Sequence, residues 1–546
     1  MLKGMDGNMG ESRQELVTLV SIVKEHALTQ PDKEALIFKK ETLTYRELDE
    51  RITAAGELLA KMGIKKGDRV LFTALSRPDM AFVYLGIQYA GGIVVFMDRN
   101  ATPENALSIY EDTQASLFLT DRPMKGYEDQ VSLYSLKKFV AQVEERVSAG
   151  GLSDTYSMPD PEDVAEMIFT TGTTGRPKGV MLSYRALHRI WLNNIEGVGI
   201  TKEDRMLLPL PLCHSLGLRM LRMTLYLGGT VVLQNGFTFA KELENNIRSF
   251  GCTAMVTVPA SFELVKNQMQ ESFTPVIGLL RSIEVGAGSL SLRQKKEFDA
   301  LLPDTRITNT WGSSETGGAI FLNLHEAAAV SRNALETGDS GPDPEKPLTE
   351  RVTSIGKPLP GVQVRALDPD GKPLDHTDRD HPGRLALNGP FVMSGYWNRP
   401  EQTADALRDG WLVTNDLVYF DRDGFVYMLG RADDIINVGG EKVSPIEVEN
   451  LASEYSHIKE CACIAAPDEV LGQVPVLLMA VDETYEQDGL EGLKTYLSRK
   501  MERFKLPADY MIVDELPRNR MKKPDRKEMK RLWKEAHPDT GKNDLH

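Results

Sequence analysis

Cysteine is scarce in this chain of 546 residues: there are four, Cys213, Cys252, Cys461 and Cys463. So few and so scattered, they exclude a disulfide scaffold and point to a reducing cytoplasm. Cys461 and Cys463 sit two apart in IKECACIAA, so a strand would set both on one face. No second Cys/His pair lies nearby to complete a zinc site. An excess of positive charge is also missing. Lys and Arg total 64 against 79 Asp and Glu, a net charge of −15. That argues against nonspecific binding of nucleic acid or anionic membrane, but leaves an anionic small substrate open. Long apolar runs are absent as well. The longest, Ala81 to Met97, is broken by Gln88, Tyr89 and the Gly91-Gly92 pair. It reads as a helix, a turn and a buried strand, with no stable membrane insertion. The opening stretch, MLKGMDGNMGESRQE, has no apolar core and does not read as a signal peptide. What remains is an ordinary globular balance, 41% hydrophobic and 26% charged, on a chain long enough for two or more domains.

Helical patterns alternate with short β-branched runs over most of the length. Thr44 to Met62 predicts an amphipathic helix, Lys65 to Asp68 a turn, and Arg69 to Leu75 a strand. Ser183 is placed to cap a helix whose apolar residues Leu187, Trp191 and Ile195 recur every four positions. Val231 to Leu233 and Thr253 to Val258 read as buried strands. The pattern implies an α/β chain with largely parallel sheets. The texture changes after about Ser354. Asp368 to Gly371 and Asp421 to Gly424 are hairpin signals, and Glu326 to Arg351 is a polar surface loop. Ser444-Pro445-Ile446-Glu447 carries a capping box and a proline at the first helical position. The last hundred or so residues suit a small α+β domain.

Four segments carry chemistry. Met167 to Val180, MIFTTGTTGRPKGV, sets threonines, glycines and Lys178 directly after an apolar run. Glycines bring backbone N–H groups close to a ligand, hydroxyls donate to anionic oxygens, and Lys178 adds a point charge. The loop suits a phosphate, though Pro177 before Lys178 and Gly179 after it separate it from the common nucleotide P-loop. Asn309 to Gly318, NTWGSSETGG, offers Trp311 as a flat stacking face and Glu315 as a hard oxygen ligand. Asp409 to Asp416, DGWLVTND, with Gly430-Arg431 after it, supplies an acid for ribose hydroxyls and a base for phosphate or a hydroxyl. Leu516 to Lys534 is a basic run, which in isolation reads as a solvated face or a nucleic-acid patch, the second weakened by the acidic remainder of the chain.

In this order and spacing, from about Leu19 to about Leu532, these segments resemble the AMP-forming acyl-CoA synthetase family. The resemblance implies a large N-terminal domain of α/β subdomains with a β-rich part, residues 1–432, binding ATP and the acid. It implies a small mobile C-terminal α+β lid, residues 433–546, carrying the catalytic lysine. Thr170, Thr171, Gly172, Thr173, Thr174, Gly175 and Lys178 match the phosphate loop. Gly288, Asn309, Trp311, Gly312 and Ser314 fall around the nucleotide, with Trp311 where tyrosine is usual and Ser314 where threonine is usual. Glu315 matches the magnesium-binding glutamate. Asp416 matches the ribose-binding aspartate, with Asn415 in place of the usual glycine, and Arg431 its arginine partner. Asp433 falls at the hinge. His214, Val285, Gly286 and Gly317 match the acyl pocket, and His214 counts with Lys523 and Glu315 as catalytic. Gly439, Gly440 and Lys442 match the loop that meets CoA. Lys523 takes the terminal lysine's position, with Lys522 replacing the usual glycine and standing as the alternative.

The implied activity is that of an ATP-dependent carboxylic acid:CoA ligase working through an acyl-adenylate. Mg2+ is the implied cofactor, and ATP and CoA are co-substrates. Fatty, aryl and short-chain acids all stay open. An acyl carrier protein is the alternative acceptor, although no carrier module is evident after Lys534. A catalytically silent nucleotide-binding homologue is the alternative of another class.

Overall fold

A computed structural model describes residues 16–73, 75–99, 101–122, 124, 131–170, 177–288, 290–316, 320–323, 354–359, 361–482, 485, 489–518 and 524–537. The expected loop at 326–351, the phosphate-loop residues Thr171 to Gly175, Gly317 and the pair Lys522-Lys523 lie outside them. The chain forms a mixed α/β fold of two compact units.

The first unit takes residues up to Leu192, Leu212–Leu233 and Met393–Asn398. Its seven-stranded sheet runs Gly395–Tyr396, Lys178–Ser183, Val164–Thr170, Ile93–Phe96, Arg69–Phe72, Leu117–Leu119 and Leu133–Tyr134. The middle strands are parallel and read as continuous apolar runs, as strands covered on both faces must. The predicted helix appears as Tyr45–Lys61, with Thr44 and Glu47 closing a capping box. It crosses helix Pro78–Tyr89 closely. A Cβ on Gly56 would meet the Tyr89 ring at 2.2 Å, and one on Gly86 the Ala55 Cβ at 2.5 Å. Arg69–Phe72 stops three residues before the expected Leu75. Thr73 still donates its N–H to Leu119 O at 3.2 Å, and its hydroxyl bonds that of Thr120 at 2.8 Å. Ser183 does cap helix Tyr184–Val198, accepting from the Ala186 amide at 3.2 Å.

The second unit takes Asn193–Pro211, Gln234–Val392 and Arg399–His546. Strands Arg205–Leu208, Ala254–Thr257, Ser282–Val285 and Arg306–Trp311 lie parallel and adjacent, followed by antiparallel Ile320–Asn323. Thr257, Val285 and Asn309 stand in line across their carboxyl ends. In open parallel sheets ligands bind outside these ends. A β-rich part follows, built on Gln363–Leu367, Gly383–Asn388, Trp411–Phe420 and Val426–Arg431. The Asp421–Gly424 hairpin forms as expected, and the turn at Asp368–Gly371 closes a short one, its antiparallel bridge Leu367–Pro373 flanked by Asp368 N–H to Lys372 O at 2.8 Å and Leu374 N–H to Ala366 O at 2.9 Å.

The smaller C-terminal part is an α/β layer around the long hairpin Ile458–Asp468 and Gly472–Val481. Its two faces bury separate clusters, as alternation along a strand requires. Cys463, Leu477 and Met479 pack with Leu493 and Leu497. Ile464, Val476 and Leu478 pack with Met529 and Trp533. Helix Pro445–Ser453 starts where expected, but only half of the capping box forms. Ser444 Oγ accepts from the Glu447 amide at 3.3 Å, while the Glu447 carboxylate turns to Arg379 and Lys505. Two full charges outbid one neutral amide.

Lys295, on helix Leu292–Leu301, is 4% exposed. Burial lowers its pKa from the ordinary 10.5 to about 7. The unfolded chain therefore binds this proton more tightly than the folded one. The penalty is full below pH 7, shrinks as pH rises through the interval to 10.5, and is gone above it. Lys295→Met will gain stability relative to the parent most at pH 6–7 and progressively less toward pH 10. Urea midpoints across that range check it, and a gap that does not change with pH contradicts it.

Candidate functional site

In the first unit the phosphate-loop segment is held at both ends. Thr170 and Lys178 are cross-strand partners. Their neighbours Phe169 and Gly179 pair too, and a Cβ on Gly179 would meet the Phe169 ring at 2.9 Å. Glycine there lets the ring lie against the strand that carries Lys178. The Lys178 ammonium sits over the Tyr396 ring, 5.1 Å from its centroid. Tyr396 was not flagged by the sequence, because its contact depends on a strand pairing between distant segments.

His214 precedes helix Ser215–Leu227 as its N-cap, with its carbonyl accepting from Leu218 at 3.1 Å. Its Nε2 lies 3.9 Å from an Asp98 carboxylate oxygen. Both side chains are 31% exposed, so this is an accessible histidine rather than a core one. Burial, with Asp98 adding to it, pushes the neighbouring Cys213 thiol up to about 12. It is protonated at neutral pH and so unsuited to nucleophilic attack.

In the second unit Asn309 fastens the glycine turn to the sheet. Its Nδ2 donates to the Val285 carbonyl at 2.9 Å and to that of Gly288 at 3.3 Å. The Gly286 amide bonds Thr257 O at 3.0 Å. Between them Ala287 adopts φ +60°, a left-handed conformation that carries strain outside glycine. Gly288 is exposed, and a Cβ there would come within 3.3 Å of Pro259. Trp311 ends its strand half-buried, and Gly312 begins the turn. Ser313 and Thr316 close that turn around Ser314 and Glu315. Ser313 N–H donates to Thr316 Oγ1 and Glu315 N–H to Ser313 Oγ, each at 3.2 Å. The Glu315 side chain is half-buried at the carboxyl end of the sheet.

Asp416 and Arg431 are direct register partners in the hairpin Trp411–Phe420 and Val426–Arg431. The structure thus puts in register the acid and the arginine that the sequence offered as one pair. Asn415 Nδ2 donates to Asp433 Oδ2 at 2.5 Å. Downstream, Gly439 and Gly440 have φ +60° and +101°, where only glycine is unstrained. The Gly439 amide bonds Leu471 O at 2.8 Å and the Gly440 amide bonds Asn437 Oδ1 at 2.9 Å, so the turn is tied down. Lys442 is exposed on the strand that follows.

Among the described residues no three His, Cys, Asp or Glu side chains cluster as a metal cage. A single half-buried carboxylate such as Glu315 fits Mg2+, which keeps several waters and shares its remaining positions with substrate phosphates.

The AMP-binding enzyme family model matches residues 23–397, and the AMP-binding enzyme C-terminal domain matches 447–523. The 2-succinylbenzoate–CoA ligase of Geobacillus kaustophilus (strain HTA426) is 30% identical, over 95% of this chain and 98% of its own length. The fatty acid–[acyl-carrier-protein] ligase ScoC of Streptomyces coeruleorubidus is 28% identical, over 95% and 97%. The o-succinylbenzoate CoA synthetase of Bacillus subtilis, solved with its acyl-adenylate intermediate, superimposes with a TM-score of 0.78 at 25% identity, over 93% and 97%. The same enzyme solved with ATP and magnesium ion also gives 0.78. With that family model matched over most of the chain and a relative 30% identical over 95% of it, this protein belongs to the AMP-binding enzyme family.

Proposed function

We propose that the protein is an AMP-forming carboxylic acid:CoA ligase that activates its acid as an acyl-adenylate and then transfers the acyl group to a thiol. The observation that carries this is the match with a CoA ligase over 95% of the chain. The chemistry of the site supports it. A carboxylate is a poor acyl donor, because its leaving group would be an oxide. Attack of the carboxylate oxygen on the α-phosphorus of ATP expels pyrophosphate and leaves a mixed anhydride. Thiolate attack on that carbonyl then expels AMP. Such phosphoryl chemistry is accelerated chiefly by positioning and charge stabilisation.

The residues divide that work. Thr170 to Gly175 and Lys178 hold the phosphates. Trp311 stacks on the base, and Asp416 with Arg431 holds the ribose. Gly288, Asn309, Gly312 and Ser314 shape the nucleotide's seat. Glu315 would hold Mg2+, which neutralises phosphate charge when bound. His214, Val285, Gly286 and Gly317 border the acid, and Gly439, Gly440 and Lys442 meet the incoming CoA. Residues 433–546 act as the lid that brings Lys523 to the first half-reaction, turning at Asp433. The four thiols, none in a disulfide, support a reducing cytoplasmic location, and no helix among the described residues is long and apolar enough to cross a membrane.

The relatives favour an aryl acid, as several are 2-succinylbenzoate–CoA ligases. A second acceptor has a specific observation behind it, since one relative is a fatty acid–[acyl-carrier-protein] ligase. A panel of aryl, fatty and short-chain acids, 2-succinylbenzoate included, decides both points. Pyrophosphate release is scored first, and the thioester formed with CoA or with a holo-carrier protein second. The expected result is ATP-dependent AMP formation with an aryl acid and CoA. ATP binding with no acid-dependent pyrophosphate release from any acid would contradict the ligase reading.

A further inference from the structure

We propose that Tyr396 is a positioning residue for adenylation: its ring face holds the Lys178 ammonium in place at the exit of the phosphate loop. The inference rests on the reading of Lys178 as a phosphate contact. A lysine head on a flexible stem is a mobile point charge, and ordering it costs rotamer entropy at each encounter with substrate. A ring face that attracts the cation reduces that cost before ATP arrives.

The geometry suits this task. Tyr396 pairs with Val180 and Gly395 with Met181 on the strand that carries Lys178. Lys178 is two residues from Val180, so it is the diagonal neighbour of Tyr396 on one face, within reach of long and aromatic side chains. The ammonium lies 5.1 Å from the ring centroid, and both side chains are half-buried. The backbone on either side of the tyrosine is anchored. Ser394 N–H bonds Met181 O at 3.0 Å and Trp397 N–H bonds Gly179 O at 2.8 Å, bracketing the tyrosine. Trp397 Nε1 and Asn398 Nδ2 both donate to Asp112 O, at 2.9 and 3.2 Å. Gly395 makes the approach at φ +139°. A short strand fastened at this many points is a rigid support for a cation, which a flexible neighbour would not be.

The test reads the two half-reactions separately. Tyr396→Leu keeps apolar bulk and removes the ring. It should raise KM for MgATP in acid-dependent pyrophosphate exchange by about tenfold, while thioester formation from supplied acyl-adenylate keeps its rate. Tyr396→Phe keeps the ring face and should recover most of the loss. Mono-, di- and trifluorinated phenylalanine at 396 should raise KM stepwise, because fluorine drains the negative face without changing the fold. In a Lys178→Gln background the ring should no longer matter, so adding Tyr396→Leu should cost less than about twofold. A full tenfold loss in that background, equal slowing of both half-reactions, or no trend along the fluorinated series would overturn the proposal. Lys178→Gln that leaves adenylation untouched would instead remove the phosphate-contact reading on which it stands.

Discussion

Alanine at Lys523 will cut acid-dependent pyrophosphate exchange by about 10²- to 10³-fold, the cost of deleting one preorganised charge contact to a transition state. Thioester formation from supplied acyl-adenylate will stay within about threefold, because that step attacks the carbonyl carbon and makes or breaks no bond at phosphorus. The reasoning is differential. Negative charge gathers on the α-phosphoryl oxygens as the carboxylate attacks, and a lysine delivered at that moment stabilises the transition state more than bound ATP. The thiol step consumes the anhydride already made, so it has no need of the same cation. Lys522→Ala is the natural control, since Lys522 stands beside it where the family usually has glycine. It should leave exchange within about fivefold, because the resemblance gives the catalytic position to Lys523. If Lys522→Ala gives the large loss and Lys523→Ala the small one, the catalytic assignment passes to Lys522. Equal loss of both half-reactions in Lys523→Ala would show a structural lysine rather than a catalytic one.

The parts of the proposed site that chemistry restricts to certain residue types could be proposed from the sequence. A phosphate cradle needs glycines and hydroxyls close together, and the run from Thr170 to Gly175 has that composition. The turn at Asp421–Gly424 likewise fixes the hairpin on which Asp416 meets Arg431, although only the register shows that they face each other. What stayed hidden was pairing between distant segments. Tyr396 lies more than two hundred residues from Lys178, in a stretch that reads as an unremarkable turn, and nothing local says which strand it joins. Competition between partners was hidden too. Ser444 and Glu447 have the spacing of a capping box, yet Glu447 goes to Arg379 and Lys505, one of them from another segment of the β-rich part. Asn415 departs from the family's glycine, and its contact with Asp433 is read only in three dimensions. Local signals specify elements and turns. Tertiary partners decide which polar atoms meet.

Arg222→Met will destabilise the first unit by about 3–5 kcal/mol, because it strands a buried carboxylate. Arg222 on helix Ser215–Leu227 and Glu166 on strand Val164–Thr170 are 3% and 0% exposed and directly ion-paired. Tyr84 joins them from helix Pro78–Tyr89. Its hydroxyl accepts from Arg222 Nε at 3.0 Å and donates to Glu166 Oε2 at 3.2 Å, while Gln88 Nε2 donates to it at 3.3 Å. Removing the cation leaves Glu166 with a weak phenolic donor in a place water does not reach, and the desolvation cost of its charge is no longer offset. The same arithmetic predicts recovery. Glu166→Leu added to Arg222→Met removes both charges together, and the double variant should return to within about 1.5 kcal/mol of the parent. Urea midpoints for the parent, Arg222→Met and the double variant test this. A double variant as unstable as Arg222→Met alone would mean that packing volume, not the charge left behind, sets the loss. The cluster also reaches the site. Glu166 lies four residues before Thr170, and Arg222 is on the helix that His214 begins, so the pair fixes both the phosphate-loop strand and the His214 helix. Arg222→Met should therefore weaken adenylation through KM for ATP and acid, and the Glu166→Leu partner change should restore that activity in step with the recovered stability.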